Sequence, residues 1–139
     1  MAHEKFRVEV LTPEGEVFND EVEMVSTKTA VGSIGLLAHH QPILAMLDPT
    51  ELRLYRTESE IERFAQAEGY LQIAEGRALL LVEEAHAPDQ LDAAQLRERL
   101  QEAERQLEQA EEDSERRRVA AGDKRRWEAF LEMTEGGSS

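Results

Sequence analysis

From Phe6 to about residue 86 the apolar positions recur with a period of two. In "FRVEVLT", Phe6, Val8 and Val10 alternate with Arg7, Glu9 and Leu11, so one face of an extended segment is buried. Pro13 and Gly15 in "TPEGEVF" suit a turn. "EVEMVST" then predicts one strand with Val22 and Met24 on one face and Glu21 and Glu23 on the other. "ELRLYR", "IERFAQA", "GYLQIA" and "ALLLVEE" read as further short strands, with Glu75-Gly76 as a hairpin turn between the last two. Turn signals recur about every eight to twelve residues and no helical period interrupts them, which predicts an all-β sandwich.

One stretch does not fit the alternation. Val31 to Leu47, "VGSIGLLAHHQPILAML", holds two glycines, a histidine pair and a proline but no Asp, Glu, Lys or Arg. A third of the chain is charged, so a bare segment of this length asks for a reason.

Past "HAPDQLD" the period changes. Pro88 marks a break, and Asp89 or Asp92 can cap the helix that follows. Ala93, Leu96, Leu100, Ala103, Leu107 and Ala110 are spaced 3, 4, 3, 4 and 3 apart, a seam of period 3.5 that needs a second helix to pack on. Asp113-Ser114 offers the cap of that helix, which carries Val119, Ala120, Trp127, Phe130, Leu131 and Met133 toward Thr134. The predicted architecture is an all-β N-terminal sandwich, residues 1–86, followed by a C-terminal antiparallel two-helix hairpin, residues 87–139. Its bend lies near residue 113, or near Gly122-Asp123, where the glycine weakens a helix by about 1 kcal/mol. The final "EGGSS" reads as a loose tail.

Charge sharpens the division. Sixteen basic and 30 acidic residues give a formal charge of −14, which argues against binding nucleic acid or an anionic lipid surface. Residues 98–115 hold eight acidic and two basic side chains, whereas residues 116–126 hold six basic ones and a single acid, Asp123. Arg116, Arg117 and Arg118 crowd the positive end of a helix, each at a cost of about 0.3–1 kcal/mol. Either they pair with the acidic end of the first helix, Glu112 with Arg116 and Asp113 with Arg117, or they meet an anionic partner, a phosphate or an acidic protein surface.

Chemistry-bearing patterns are missing. No phosphate-binding glycine loop, Gly-x-Ser-x-Gly turn or His-Glu-x-x-His helix occurs. His39 and His40 are adjacent, so an extended chain points them to opposite sides and they cannot chelate one metal. Zero cysteines exclude disulfides and thiolate sites. With no bilayer-length apolar run and no signal-peptide core in "MAHEKFRVEV", a soluble cytoplasmic protein is expected. The reading from the residues is a binding or coupling module without catalytic activity and without a metal.

The order of these segments resembles the epsilon subunit of bacterial F-type ATP synthases over nearly the whole chain. "FRVEVLTPEGEVFNDEVEMV" is similar to the family's first strands. "GSIGLLAHHQPILAMLDP" resembles its pattern Gly-Glu-apolar-Gly-apolar-x-Pro-Gly-His-x-Pro: Gly32, Gly35, His40 and Pro42 match, while Ser33, Ala38 and His39 replace Glu, Pro and Gly. "EGYLQI" and Leu91-Asp92 match a later strand and the start of the first helix. The resemblance implies a ten-stranded sandwich in the central rotor stalk that binds the gamma subunit and the ring of c subunits. It places the protein peripherally on the cytoplasmic face of the bacterial inner membrane, touching the membrane only through the c ring.

Under that resemblance Gly32, Ser33, Gly35, His40 and Pro42 belong to the partner interface. "GSIGLL" becomes a tight, uncharged loop that a partner covers, the alternative being a loop tucked under its own sandwich. The hairpin is implied to fold against the sandwich or to extend along gamma, where Arg116, Arg117, Arg125 and Arg126 would meet an acidic segment of the beta subunits and block ATP hydrolysis. Some family members bind ATP on the folded hairpin through Ile/Leu-Asp-x-x-Arg-Ala. Here Leu91 and Asp92 match, Gln95 and Leu96 do not, and Arg118 and Arg125 remain as phosphate contacts, so weak ATP binding or none is expected. The rival reading is a coiled-coil chaperone or adaptor working through its acidic hairpin; it accounts for the seam but not for the bare segment.

Overall fold

The computed structural model describes residues 3–136. The chain divides into a first unit ending at Ala87 and a second beginning at Pro88. The first unit is all β: β1 (Phe6–Thr12), β2 (Gly15–Val22), β3 (Met24–Thr29), β4 (Gly32–Leu36), β5 (Ile43–Leu47), β6 (Thr50–Tyr55), β7 (Ile61–Gln66), β8 (Gly69–Ala74), β9 (Arg77–Val82) and β10 (Ala85–His86). The ten strands run in the order β10-β7-β6-β3-β5-β8-β9-β1-β2, with β4 hydrogen-bonded to β3 alone. All pairs are antiparallel except β1 with β9.

β3 turns this sheet into a sandwich. Its first residues pair with β6 and its last, Thr29, pairs with Leu47 of β5. Inward side chains from both halves, among them Val8, Val10, Phe18, Val25, Leu36, Leu52, Leu54, Phe64, Leu71 and Leu80, form one apolar cluster. One polar chain crosses it: Thr27 Oγ1 donates to Gln66 Oε1 at 2.7 Å, and Gln66 Nε2 donates to the Asp48 carbonyl at 2.8 Å. Gln66 is fully buried, so these bonds offset a desolvation cost that is otherwise about 1–3 kcal/mol. β8 and β9 approach so closely at Gly69 that a Cβ there would lie 1.9 Å from the Leu81 carbonyl oxygen. The Glu75-Gly76 turn is present, both residues having positive φ, 53° and 74°.

Two expectations are corrected. The single strand over "EVEMVST" is two strands broken at Glu23, whose N–H donates to the Tyr55 carbonyl at 2.7 Å. The one-residue break inverts the alternation: Val22 is buried before it, Val25, Thr27 and Thr29 after it, and Met24 no longer shares a face with Val22. "GSIGLL" is not a loop. Gly32–Leu36 is β4, paired with β3 from Thr29↔Gly32 to Val25↔Leu36 around an Ala30-Val31 turn. Gly32 is needed at the turn's exit, where φ is +133°.

In the second unit a 3-10 turn (Pro88–Gln90) precedes α1 (Ala93–Gln109) and α2 (Glu115–Gly136). Asp92 is the cap of α1, its Oδ1 accepting from Ala94 N–H at 3.0 Å and Gln95 N–H at 3.3 Å. The seam residues of α1 are its most sheltered: Leu96 and Ala103 are buried, and Ala93, Leu100, Leu107 and Ala110 are half-buried. The bend is at 110–114, with Asp113 at φ 60° and Ser114 Oγ accepting from Arg117 N–H at 3.1 Å. Gly122 lies inside α2, so the turn considered there is absent. The tail expected at 135–139 lies, from residue 137 on, outside the described residues.

Candidate functional site

Two surfaces collect the residues singled out by the sequence. The first is on the sandwich. From Thr29 to Leu47 the chain has no Asp, Glu, Lys or Arg, and it supplies β4, β5 and the connection between them. Ser33, Gly35 and Pro42 are exposed, and Gly32 and His40 half-buried. His40 is fixed at both ends, its N–H donating to the Leu37 carbonyl at 3.1 Å and its Nδ1 lying 2.8 Å from the Gln41 carbonyl oxygen. His39 lies 3.2 Å from Glu4 instead, and no metal-holding cluster occurs among the described residues.

This segment also contributes to a face that the pattern did not show. β5, β8 and β9 each turn apolar side chains outward: Leu44 is 75 % exposed, Met46 60 %, Tyr70 54 % and Leu81 46 %. The register aligns Met46 with Tyr70 and Tyr70 with Leu81, making one row across three strands. Leu37 and Val31, at the two ends of β4, are exposed as well. The overlooked signal was the unbroken apolar runs "ILAML" and "ALLLV": a half-solvated antiparallel strand alternates, and these do not.

The second surface is the hairpin. Neither acid–arginine pair expected at the bend forms. Arg116 donates to Gln106 Oε1 through Nε at 2.9 Å and Nη2 at 2.6 Å, Arg117 to the Leu107 carbonyl at 3.1 Å, and Arg118 to Glu115 at 3.1 Å. The length of the bend sets this register, placing the first turn of α2 beside the last turn of α1. Farther along α2, Lys124 and Arg125 make no ion pair among the described residues and Arg125 is exposed. Arg126 sits with its guanidinium 5.3 Å from the Trp127 ring, and Arg99 lies 5.0 Å from that ring. Hydrogen bonds from Arg105 and Gln106 hold the Glu102 carboxyl below its ordinary pKa.

Of the residues considered for a nucleotide, Leu91 and Asp92 are not gathered with Arg118. Leu91 and Asp92 stand at the start of α1, and Arg118 stands beside its end, roughly 20 Å away at 1.5 Å per residue. Asp92 already spends its carboxylate on the α1 cap.

Residues 5–88 match the family described as "ATP synthase, Delta/Epsilon chain, beta-sandwich domain". The chain is similar to the ATP synthase epsilon chain of Persephonella marina, at 36 % identity over 76 % of this chain and 78 % of the relative. The ATP synthase epsilon chain of Halalkalibacterium halodurans is 33 % identical over 77 % of this chain and 80 % of its own length. Among solved structures, one chain of the Euglena gracilis mitochondrial ATP synthase OSCP/F1/c-ring assembly superposes with a TM-score of 0.74 at 17 % identity, covering 98 % of this chain and 83 % of that one. A chain of the Tetrahymena thermophila mitochondrial ATP synthase central stalk/c-ring gives 0.61 at 20 % identity, covering 96 % and 99 %. At these identities the structural likeness bears on the fold.

Proposed function

This chain belongs to the delta/epsilon family of ATP synthase as a non-catalytic epsilon subunit of the central stalk, and from that membership we propose how its two units divide the work. The sandwich is the coupling body. Its outward row of Leu44, Met46, Tyr70 and Leu81 seats on the gamma subunit, and the uncharged segment around Gly32, Ser33, Gly35, His40 and Pro42 meets the c ring. The observation that carries this reading is the exposed apolar row continuous with a charge-free segment, on a protein whose remaining surface is densely charged. Such a patch is the ordinary mark of a surface that a partner covers. No described helix is long and apolar enough to cross a membrane. In this reading the chain meets the membrane-bound complex through the ring, on its cytoplasmic face.

The hairpin is the regulatory unit. Arg116, Arg117, Arg125 and Arg126 present positive charge to an acidic segment of the beta subunits and restrain ATP hydrolysis. Support comes from the concentration of cations on α2 and from Lys124 and Arg125, which make no ion pair among the described residues. Ending the chain after His86 removes this unit. ATP hydrolysis by the reconstituted enzyme is then expected to rise several-fold while proton pumping per ATP is kept, and unchanged hydrolysis would refute the inhibitory role. No cofactor is needed for either task, and ATP binds the hairpin weakly or not at all.

A further inference from the structure

Among the described residues the sheet has open edges at β10, β2 and β4. β10 is two residues long, and β2 carries Glu16, Asp20 and Glu21, so both are poor templates for a further strand. β4 is different: it is hydrogen-bonded to β3 alone and holds neither charge nor proline. Lys28 stands opposite Ser33 across the β3–β4 pair, yet the Lys28 carbonyl accepts from Asp48 N–H at 3.0 Å, away from β4. A residue in an antiparallel pair turns its N–H and C=O to one side, so the backbone groups of Lys28 and Ser33 point away from each other. Ser33, and Gly35 two residues on, therefore aim their N–H and C=O groups off the open edge. Both residues are exposed, and a Cβ on Gly35 would meet nothing within 4 Å, so another backbone can approach closely.

These groups are complementary to themselves. When two copies of β4 lie antiparallel with Ile34 on the two-fold axis, Ser33 of one copy falls opposite the partner's Gly35, and Gly35 opposite the partner's Ser33. Each pair exchanges its N–H···O=C bonds, so every open group of both residues is satisfied. The same register brings Val31 toward the partner's Leu37, and these are the exposed apolar side chains at the two ends of β4. The turn needs no further ordering, since Thr29 Oγ1 donates to the Gly32 carbonyl at 3.0 Å and accepts from Val31 N–H at 3.2 Å. Charge favours this approach over others: Thr29 to Leu47 holds no Asp, Glu, Lys or Arg, whereas a chain of net charge −14 repels its own copy elsewhere. The family pattern has Glu where this chain has Ser33, and a carboxylate there guards an edge.

We propose that the free chain forms a two-fold dimer in which two β4 strands join their sheets edge to edge. The pairing goes beyond the coupling role and is a property of the isolated chain. It covers Ser33 and Gly35, which the reading above gives to the c ring, so the dimer is an unassembled form. That consequence rests on the ring reading; the pairing does not.

Sedimentation velocity of the full chain, at concentrations up to about 1 mM, is expected to show monomer passing to dimer. The midpoint should fall as sodium chloride rises from about 0.05 to 0.5 M, because repulsion between the acidic surfaces is screened. Amide exchange followed by nuclear magnetic resonance locates the contact: Ser33 and Gly35 N–H exchange about tenfold or more slowly in the dimer than in the monomer. Gly35→Pro removes a donor that β3 does not use, and Ser33→Glu places a carboxylate opposite Lys28, which the fold accepts. Each raises the midpoint about tenfold. A monomer at every concentration, a dimer whose Ser33 and Gly35 amides stay unprotected, or an unaltered midpoint in either folded variant overturns the proposal. Purified c ring added to the wild-type dimer separates the two ideas. Dissociation into ring-bound monomer supports both, and a dimer that the ring leaves intact upholds the pairing and refutes the shared edge.

Discussion

Substituting Met46 and Tyr70 together by alanine strikes the middle of the outward row without touching the core. Met46 is 60 % exposed and Tyr70 54 %, so roughly half of each side chain remains for a partner to cover. Complete burial of such a side chain is worth about 1.5–3 kcal/mol, which leaves about 1–1.5 kcal/mol for each on binding. The pair then costs about 2–3 kcal/mol, or roughly a 30- to 150-fold weaker complex at 1.4 kcal/mol per tenfold. The fold loses the Met46–Tyr70 and Tyr70–Leu81 cross-strand contacts, about 0.2–1 kcal/mol each. Titration of the purified variant against purified gamma subunit by calorimetry gives the first quantity, and urea unfolding gives the second. A dissociation constant within threefold of wild type, on a variant that urea unfolding shows to be folded, would show that gamma does not sit on this row.

Three further outcomes follow from local geometry. Gly69→Ala drives a methyl into the Leu81 carbonyl and is expected to lower unfolding free energy by about 3 kcal/mol; a loss below about 0.5 kcal/mol would mean that β8 and β9 separate freely. Gln66→Leu strands the Thr27 hydroxyl and the Asp48 carbonyl and should cost about 2–3 kcal/mol in urea unfolding, with Thr27→Val added to it giving part of that back; no recovery in the double variant would contradict the pairing. Calorimetry of the isolated chain with ATP should show no binding at micromolar concentration, because Asp92 and Arg118 stand at opposite ends of α1, and a micromolar affinity would refute that.

Most of the fold was legible because two periods carry it. Alternation at Phe6, Val8 and Val10 and the 3.5-residue seam from Ala93 to Ala110 each specify an element and its buried face. β4 and β5 were not legible as strands, because an uncharged run with two glycines and outward Leu44 and Met46 has no polar phase to read. Glu23 misled for a different reason: a break of one residue is invisible in composition but flips every side chain after it. At the hairpin, Ser114 was readable as a cap, whereas the partners of Arg116 and Arg117 were not. Sequence proximity suggested Glu112 and Asp113, but across the bend at 110–114 it is Gln106 and the Leu107 carbonyl that accept from these arginines. The apolar row across β5, β8 and β9 is a property of sheet register, joining residues as far apart as Met46 and Leu81.

The claim on which the account turns is that the sandwich grips the rotor through this row and the charge-free segment beside it. Affinity purification of the tagged chain from detergent-solubilised membranes, with its companions identified by mass spectrometry, tests that claim most directly. Wild type should bring down gamma and c subunits in fixed ratio, and a folded Leu44→Asp/Met46→Glu variant should bring down neither. Recovery of both subunits in undiminished yield with that variant would contradict it.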